Sequence, residues 1–421
     1  MTITRPAAAL ALFALGVAVC AVAAPAVNSL SDNDVVFDVE ATVQGQATFA
    51  ACSQVVDVLE QRGWRPAGAR IRIQTNPFDA TSPSADVVLR AGAATEDSAF
   101  DLAAALVGRQ LGRALDPEVA GVLARTVAAH LSTPGCGRRA EWERQWFARL
   151  GSGDLLSTAL PELLWRSGGD AAIREAARGT WPDSAYAALA ALGVEPVKGL
   201  GEVAVAGLVN PEALGFRALA GAVVPAPAAA GMDVRFPETG LRLVALPGDA
   251  NAVALQMLRS ERGAAWVVVK YALTGSFDAV PLNPKGEVVV PLHGTSWAAI
   301  VAVGIGPDAR VAVNSRALDD YPLRLKRWDF LAGEGEANLT WETQRHEGLR
   351  GFVVEALQAG ADGRWSVLRR TLVPVAENGD ASFGYAFVDG DTNGVSAFRL
   401  LALTSDGFLA EVGMFPLRNQ P

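Results

Sequence analysis

The sequence predicts a multidomain protein, with a mixed α/β, helix-rich N-terminal domain followed by two antiparallel β-sandwich domains. Three observations support this fold class. The chain has 421 residues, enough for several domains. Helical periodicity and capping residues dominate before about residue 200, whereas short β-rich runs between turn residues dominate after it. A connecting segment over 201–231, rich in Pro and Ala near its end, separates the two regions.

The N-terminus has the pattern of a secretory signal peptide over residues 1–23. Arg5 precedes an apolar stretch from Ala7 to Val22, which is short for a membrane span. Ala21 and Ala23 form the small-x-small pattern of a cleavage site, so we expect cleavage after Ala23. The mature protein is therefore expected to be secreted or periplasmic.

The charge of the chain limits its partners. The 45 acidic residues outnumber the 36 basic ones, which gives a formal net charge of −9. A dispersed negative charge disfavours nucleic acid and anionic membranes as partners. After signal cleavage no segment is expected to span a membrane, since Arg217, Pro225 and Pro227 interrupt the apolar stretch over 214–231. We expect an unknown protein or glycan partner outside the cytoplasm.

Signal cleavage leaves two cysteines, Cys52 and Cys136. In an oxidising compartment such a pair predicts one disulfide. The alternative is two buried free thiols. Neither cysteine has a neighbour at the spacing of a zinc site, so a metal site is not expected from them.

The helix-rich domain, over 33–200, is marked by capping and turn residues. Asp116 and Pro117 form an N-cap followed by proline at the first helical position, and Gly63 and Gly193 terminate helices. The pattern predicts strands at 35–43, 70–74 and 86–90, and helices at 47–62, from 117, 170–179 and 183–193.

Two β-rich blocks follow, at 232–315 and 336–418. The number and spacing of strands in the first block predict an immunoglobulin-like sandwich. Pro, Gly and charged residues concentrate near 225–231 and 319–336, so we expect proteolysis there and independent folding of 336–418.

The second block resembles a bacterial fibronectin type III-like domain. The resemblance rests on five motifs: Leu339–Thr343, Gly351–Glu355, Gly363–Trp365, Tyr385–Asp389 and Phe398–Leu400. It departs from the family at Phe398, where a tyrosine is common. The resemblance implies a spacer or binding domain, with Trp341, Phe352, Phe387 and Leu400 in its core.

Residues 107–115 resemble the zinc helix of a gluzincin-like metallopeptidase. Arg109 and Arg113 occupy the two histidine positions of His-Glu-x-x-His, and Gln110 occupies the glutamate position. Arginine has no free lone pair for zinc, and glutamine cannot act as a general base. The resemblance thus implies an inactivated site with no metal and no cofactor.

An ordinary amphipathic helix explains the same residues. In that interpretation the two arginines face water, and the buried stripe is Ala103, Val107, Leu111 and Leu115.

Other patterns assign no catalytic residue. The three histidines, His130, His293 and His346, are far apart in sequence, and no nucleophile motif is present. Asp389, Asp391 and Asn393 match the first half of an EF-hand loop, but Leu400 stands at the position of its bidentate glutamate. This segment is either a β-turn or a weak calcium turn.

Three classes of function remain. The sequence favours an exported, non-catalytic binding or scaffold protein with an inactivated metallopeptidase-like head and β-sandwich spacers. One alternative is a secreted hydrolase whose site is assembled from distant residues. The other is a structural component of the envelope or an adhesion protein.

Overall fold

The structure, a computed structural model, describes residues 27–417. The gaps within this range are 33–34, 66–67, 75–84, 86, 91–93, 134, 210–213, 215–225, 228–231, 247–250, 293, 319–324, 334, 344–348, 361–364 and 376–382. The predicted signal peptide over 1–23 lies outside the described residues.

The order of elements follows the predicted layout, with seven helices in the described N-terminal half and several antiparallel sheets after them. The chain divides into two compact units, Met1–Trp142 and Glu143–Pro421. This boundary falls within the region that the sequence predicts as one domain over 33–200. Each unit is described separately.

The first unit contains a four-stranded sheet and the helices that follow its strands. The strands lie in the order β1-β2-β3-β4, with β1 antiparallel and the others parallel. They are β1 (Val27–Asp32), β2 (Val35–Glu40), β3 (Arg70–Gln74) and β4 (Val87–Arg90). The helices are α1 (Val43–Gln61), α2 (Thr95–Leu111) and α3 (Pro117–Leu131), and α4 (Gly137–Ser152) begins here.

Local caps explain where these helices start and stop. The Thr42 hydroxyl accepts a hydrogen bond from Gly45 N at 2.9 Å and starts α1. Gly63, with φ of 81°, follows its end as predicted. The Asp116 carboxylate accepts from Glu118 N at 2.8 Å, which confirms the predicted N-cap of α3.

The second unit begins with helices α5 (Ala159–Ala176), α6 (Asp183–Ala191) and α7 (Pro196–Val209). Gly169 breaks α5 with φ of 56°, so the helix predicted from residue 170 is its second half. Helix α7 extends into the predicted connecting segment and contacts strands of the next layer. A Cβ on Gly201 would lie 1.7 Å from the Trp266 ring, so glycine permits this approach. No helix among the described residues is long and apolar enough to cross a membrane.

We call the next two sheets the first sheet pair. Their orders are β10-β9-β12-β7-β5 and β11-β8-β13-β6, and one core lies between them, with Val267, Ile300, Val253 and Val311 among its residues. The strands are β5 (Ala226–Pro227), β6 (Met232–Phe236), β7 (Gly240–Ala245), β8 (Ala252–Glu261), β9 (Gly263–Tyr271), β10 (Phe277–Pro281), β11 (Glu287–Pro291), β12 (Thr295–Gly304) and β13 (Ala309–Leu318).

The second sheet pair has the orders β14-β15-β18 and β17-β16-β19-β20. Its core contains Trp341, Phe352 and Leu400, as predicted, and Phe387 is partly buried against it. The strands are β14 (Leu325–Ala332), β15 (Ala337–Thr343), β16 (Leu349–Ala359), β17 (Trp365–Pro374), β18 (Phe383–Asp389), β19 (Ala397–Thr404) and β20 (Leu409–Pro416).

Strand β14 corrects the expectation of an open connection over 319–336. Trp328 and Phe330 alternate with Arg327 and Asp329, which is the two-residue period of a strand. Because Arg327 and Asp329 are charged, the sequence of this segment resembles that of a linker. The second sheet pair therefore begins before residue 336.

Two buried threonines in the second sheet pair should respond oppositely to the same substitution. The Thr343 hydroxyl has no hydrogen-bond partner among the described residues, so Thr343→Val should raise the free energy of unfolding by about 1 kcal/mol. The Thr404 hydroxyl accepts from Phe408 N at 3.0 Å, so Thr404→Val should lower it by about 1–3 kcal/mol. Denaturant unfolding of the mature chain measures both changes, and changes of the same sign would contradict this account.

Candidate functional site

The residues in the zinc-helix positions lie around the end of α2. This helix ends at Leu111, so Arg113 follows it and does not share a helical face with Arg109. Both arginines are exposed. The Gln110 side-chain oxygen accepts from Arg65 N at 3.0 Å and thereby ties α2 to the segment after α1. The predicted stripe of Ala103, Val107, Leu111 and Leu115 is buried.

The disulfide expected between Cys52 and Cys136 is not formed, and both side chains are buried free thiols. Burial raises the pKa of Cys52 to about 12, so this thiol stays protonated. The Cys136 sulfur instead lies 3.3 Å from the Asp97 carboxylate and 3.4 Å from Arg139 N. Burial, then the neighbouring Asp97, raises the pKa of Cys136 as well. The structure thus corresponds to the free-thiol alternative.

A pocket of about 370 Å³ lies in the first unit, between β4 and the first turns of α2 and α4. Its lining comprises Val88, Leu89, Asp97, Ser98, Asp101, Gly137, Arg138 and Glu141. The zinc-helix positions do not line it. None of these residues belongs to a motif recognisable as a site in the sequence, although acids in the first turn of a helix are a common pattern.

Asp97 connects the two helices that border the pocket. Its carboxylate accepts from Arg138 N at 2.9 Å, at the N-terminus of α4, where backbone N–H groups lack helical partners. Burial raises the pKa of Asp97, but the hydrogen bonds from Arg138 N, Cys136 and Gly137 N and the Arg138 charge together hold it below its ordinary value. The ionised Asp97 carboxylate therefore caps the N-terminus of α4.

The remaining charged groups of the pocket pair with one another. The Arg138 guanidinium lies 3.3 Å from Asp101 and 3.1 Å from Glu141. Burial raises the pKa of Asp101, while Arg138 opposes the shift. With Asp97, three carboxylates face one guanidinium, so the local field opposes anions.

The candidate calcium turn is organised around an arginine. Asp389 and Asp391 each accept a backbone N–H two residues further on, from Asp391 at 3.0 Å and from Asn393 at 3.1 Å. Arg369 lies 2.6 Å from the Asp389 carboxylate and 3.5 Å from that of Asp391. A calcium ion would have to displace this guanidinium.

Elsewhere, no cluster of three or more His, Cys, Asp or Glu side chains suited to a metal occurs in the described part of the chain. His130 lies on α3, whereas His293 and His346 are outside the described residues.

The two sheet pairs meet at contacts that we call the junction: Tyr271, Asp278 and Val289 from the first pair, and Asp406, Phe408 and Leu409 from the second. Phe408 is fully buried and belongs to the core of the first sheet pair. It follows β19 in a turn where Gly407 has φ of 92°, the left-handed region that favours glycine. The apolar side chain of one sheet pair thus completes the core of the other.

Hydrogen bonds on both sides of Phe408 fix its position. The Tyr271 hydroxyl donates to Asp278 at 2.7 Å and accepts from Leu409 N at 2.9 Å. The Asp406 carboxylate accepts from Val289 N at 3.0 Å. Burial and the nearby Asp278 charge raise the pKa of Tyr271, so its hydroxyl remains a donor.

A buried ion pair lies on the β16–β19 face opposite the Trp341 core. Glu355 accepts from Arg399 Nε at 2.9 Å and from Arg370 Nε at 2.7 Å, and the side chains of Glu355 and Arg399 are 0% and 3% exposed. Arg399 also lies 3.6 Å from Glu411. A Cβ on Gly294 of the first sheet pair would lie 2.8 Å from Glu411, so this charged cluster reaches the other pair.

Comparisons with known proteins give no family. No protein-family model matches the chain, and no curated protein matches it. The β-glucuronidase from Ruminococcus gnavus in complex with D-glucuronic acid is 11% identical, covers 43% of this chain and 36% of its own, and has a TM-score of 0.17. The apo structure of that enzyme is 12% identical, with coverages of 43% and 35% and the same TM-score.

The chain thus spans about a third of the length of these β-glucuronidase structures. A TM-score this low identifies neither a fold nor an activity.

Asp97 should act as the cap of α4. Asp97→Ala removes the acceptor of Arg138 N and should lower the free energy of unfolding by about 0.5–2 kcal/mol at neutral pH. Asp97→Asn is the matched control, because it keeps an acceptor oxygen and loses the charge. Denaturant unfolding at several pH values measures both.

The pH dependence follows from the lowered pKa of Asp97. The advantage of wild type over Asp97→Asn should be fully present above the unfolded pKa of about 4 and disappear as pH falls through the lower folded pKa. Equal stability of wild type and Asp97→Ala at neutral pH would show that the cap contributes nothing.

Proposed function

We propose that this chain is exported from the cytoplasm and acts as a non-catalytic binding or scaffold protein. In this proposal 232–315 form an immunoglobulin-like sandwich, and the block predicted at 336–418, extended to include β14, forms a fibronectin type III-like sandwich. They follow a helix-rich head that resembles an inactivated metallopeptidase domain. Its partner is a protein or glycan outside the cytoplasm.

The junction is the observation that carries this proposal. Domains joined only by a linker move independently of each other by default. Here the first sheet pair buries Phe408 of the second, and two further hydrogen bonds join them. Coupled domains keep a constant distance between the surfaces they present, which suits a spacer or scaffold.

The zinc-helix positions support a non-catalytic head. Gln110 holds a backbone N–H of Arg65, a structural contact that leaves no base at the glutamate position. Arg109 and Arg113 are exposed cations at the two histidine positions. A zinc ion near either guanidinium group would be repelled.

Metal content and peptidase activity of the mature protein test the proposal. We expect the protein in the secreted or periplasmic fraction, beginning at Ala24, without stoichiometric zinc and without hydrolysis of casein. Arg109→Ala should leave folding nearly unchanged because that side chain is exposed. Gln110→Ala should lower the free energy of unfolding by about 1 kcal/mol through loss of the bond to Arg65 N.

Two results would contradict the proposal. Arg178→Ala is the control, because this exposed arginine lies outside the zinc-helix segment. If the protein binds stoichiometric zinc, loses it on Gln110→Ala and retains it on Arg178→Ala, the head is an active metallopeptidase and the proposal is wrong. Recovery of the protein only in the cytoplasm, with residues 1–23 still attached, would contradict export.

A further inference from the structure

Strand β14 presents an open edge. It has eight residues, and β15 is its one neighbour among the described strands. An edge strand of this length offers a row of unpaired N–H and C=O groups to another strand. Proteins usually protect such edges with short strands, charged side chains, prolines or bulges, or by covering them. The only bulge of β14 lies at its start, between Leu325 and Arg327, so 327–332 are regular.

The side chains of this edge are apolar on both faces. Trp328 is 55% exposed, although its ring centroid lies 5.0 Å from that of Phe415. Leu331, on the opposite face, is 65% exposed. One side of the indole thus packs on the sheet pair and the other is open. Large apolar groups on an open strand edge are typical of an interface.

Opposite charges flank Trp328. Arg327 and Asp329 are both exposed, and in the register with β15 they stand opposite Glu342 and Thr340. The register with β15 places both on the face away from the core, whereas Trp328 pairs with the buried Trp341. The strand is therefore complementary to an antiparallel copy of itself.

We propose that β14 pairs antiparallel with β14 of a second copy of this chain, with the two-fold axis at Trp328. This arrangement places Arg327 opposite Asp329 of the second copy, and the reverse contact forms by symmetry. The two Trp328 side chains meet on the core side. The pairing joins two three-stranded sheets into one six-stranded sheet and removes both open edges.

The charges select this register. In two paired antiparallel strands, directly opposed residues point to the same face of the sheet. If the cores of both copies are to lie on the same side of the joined sheet, the two-fold axis must therefore pass between a residue of β14 and the same residue of the second copy. An axis at Arg327 would oppose two arginines, and an axis at Asp329 would oppose two aspartates. Trp328 is the position that pairs both charges favourably.

The experiment measures the oligomeric state of the mature full-length protein by sedimentation velocity over a range of concentrations. We expect a monomer–dimer equilibrium. Arg327→Asp and Asp329→Arg each replace two attractive contacts with two repulsive ones, so each should raise the dimer dissociation constant by about tenfold or more. The double variant restores opposite charges and should restore the wild-type dissociation constant.

Leu372→Lys is the matched control, because Leu372 is 57% exposed on β17, an edge strand of the other sheet in the same pair. It should leave the dimer unchanged. Circular dichroism checks that each variant is folded. A monomer at all concentrations would overturn the proposal, as would a dimer that the single charge reversals do not weaken. Failure of the double variant to recover, or loss of the dimer on Leu372→Lys, would also overturn it.

Discussion

Phe408 stands outside the core of its own sheet pair and is buried in that of its neighbour. Its turn is held by Thr404, whose hydroxyl accepts from Phe408 N, and by the positive φ of Gly407. Removal of a buried phenylalanine side chain costs about 3–5 kcal/mol. Both sheet pairs share this contact, so opening either one at the junction exposes apolar surface of the first core. The hydrogen bonds of Tyr271 and Asp406 depend on the same approach.

The buried Glu355–Arg399 pair adds a constraint of a different kind. Its attraction is offset by the loss of solvation, so its presence adds little net stability. Loss of either partner leaves an uncompensated buried charge, which costs about 3–5 kcal/mol. The main effect of the pair is therefore to destabilise any conformation in which Arg399 is separated from Glu355. Since Arg399 also approaches Glu411, which lies against Gly294, the same constraint extends to the first sheet pair.

Local patterns predicted much of the secondary structure. The N-cap at Asp116, the end of α1 before Gly63 and the exact range of β3 were all readable from residue type and spacing. Strands β1 and β14 were not predicted. The charged residues of β14 led to the prediction of a linker, because an edge strand that faces solvent and a polar linker have similar amino-acid compositions.

Contacts between distant segments could not be predicted. Asp406-Gly407 has the residue types of a turn, but nothing local shows that the next residue leaves its own core. The partners of this turn are more than a hundred residues away, at Val289 and Tyr271. For the same reason Asp97 gave no sign that it caps a helix starting at Gly137. Independent folding of 336–418 remains a prediction, and the junction argues against it.

Native-state hydrogen exchange on the full chain tests the central claim, that the two sheet pairs open together. The amides to follow are those of Val267 and Ile300 in the first core and of Val354 and Leu400 in the second. With rising denaturant, their opening free energies should converge to one value in the wild type and separate in Phe408→Ala. Two distinct opening free energies in the wild type, unchanged by Phe408→Ala, would contradict the account.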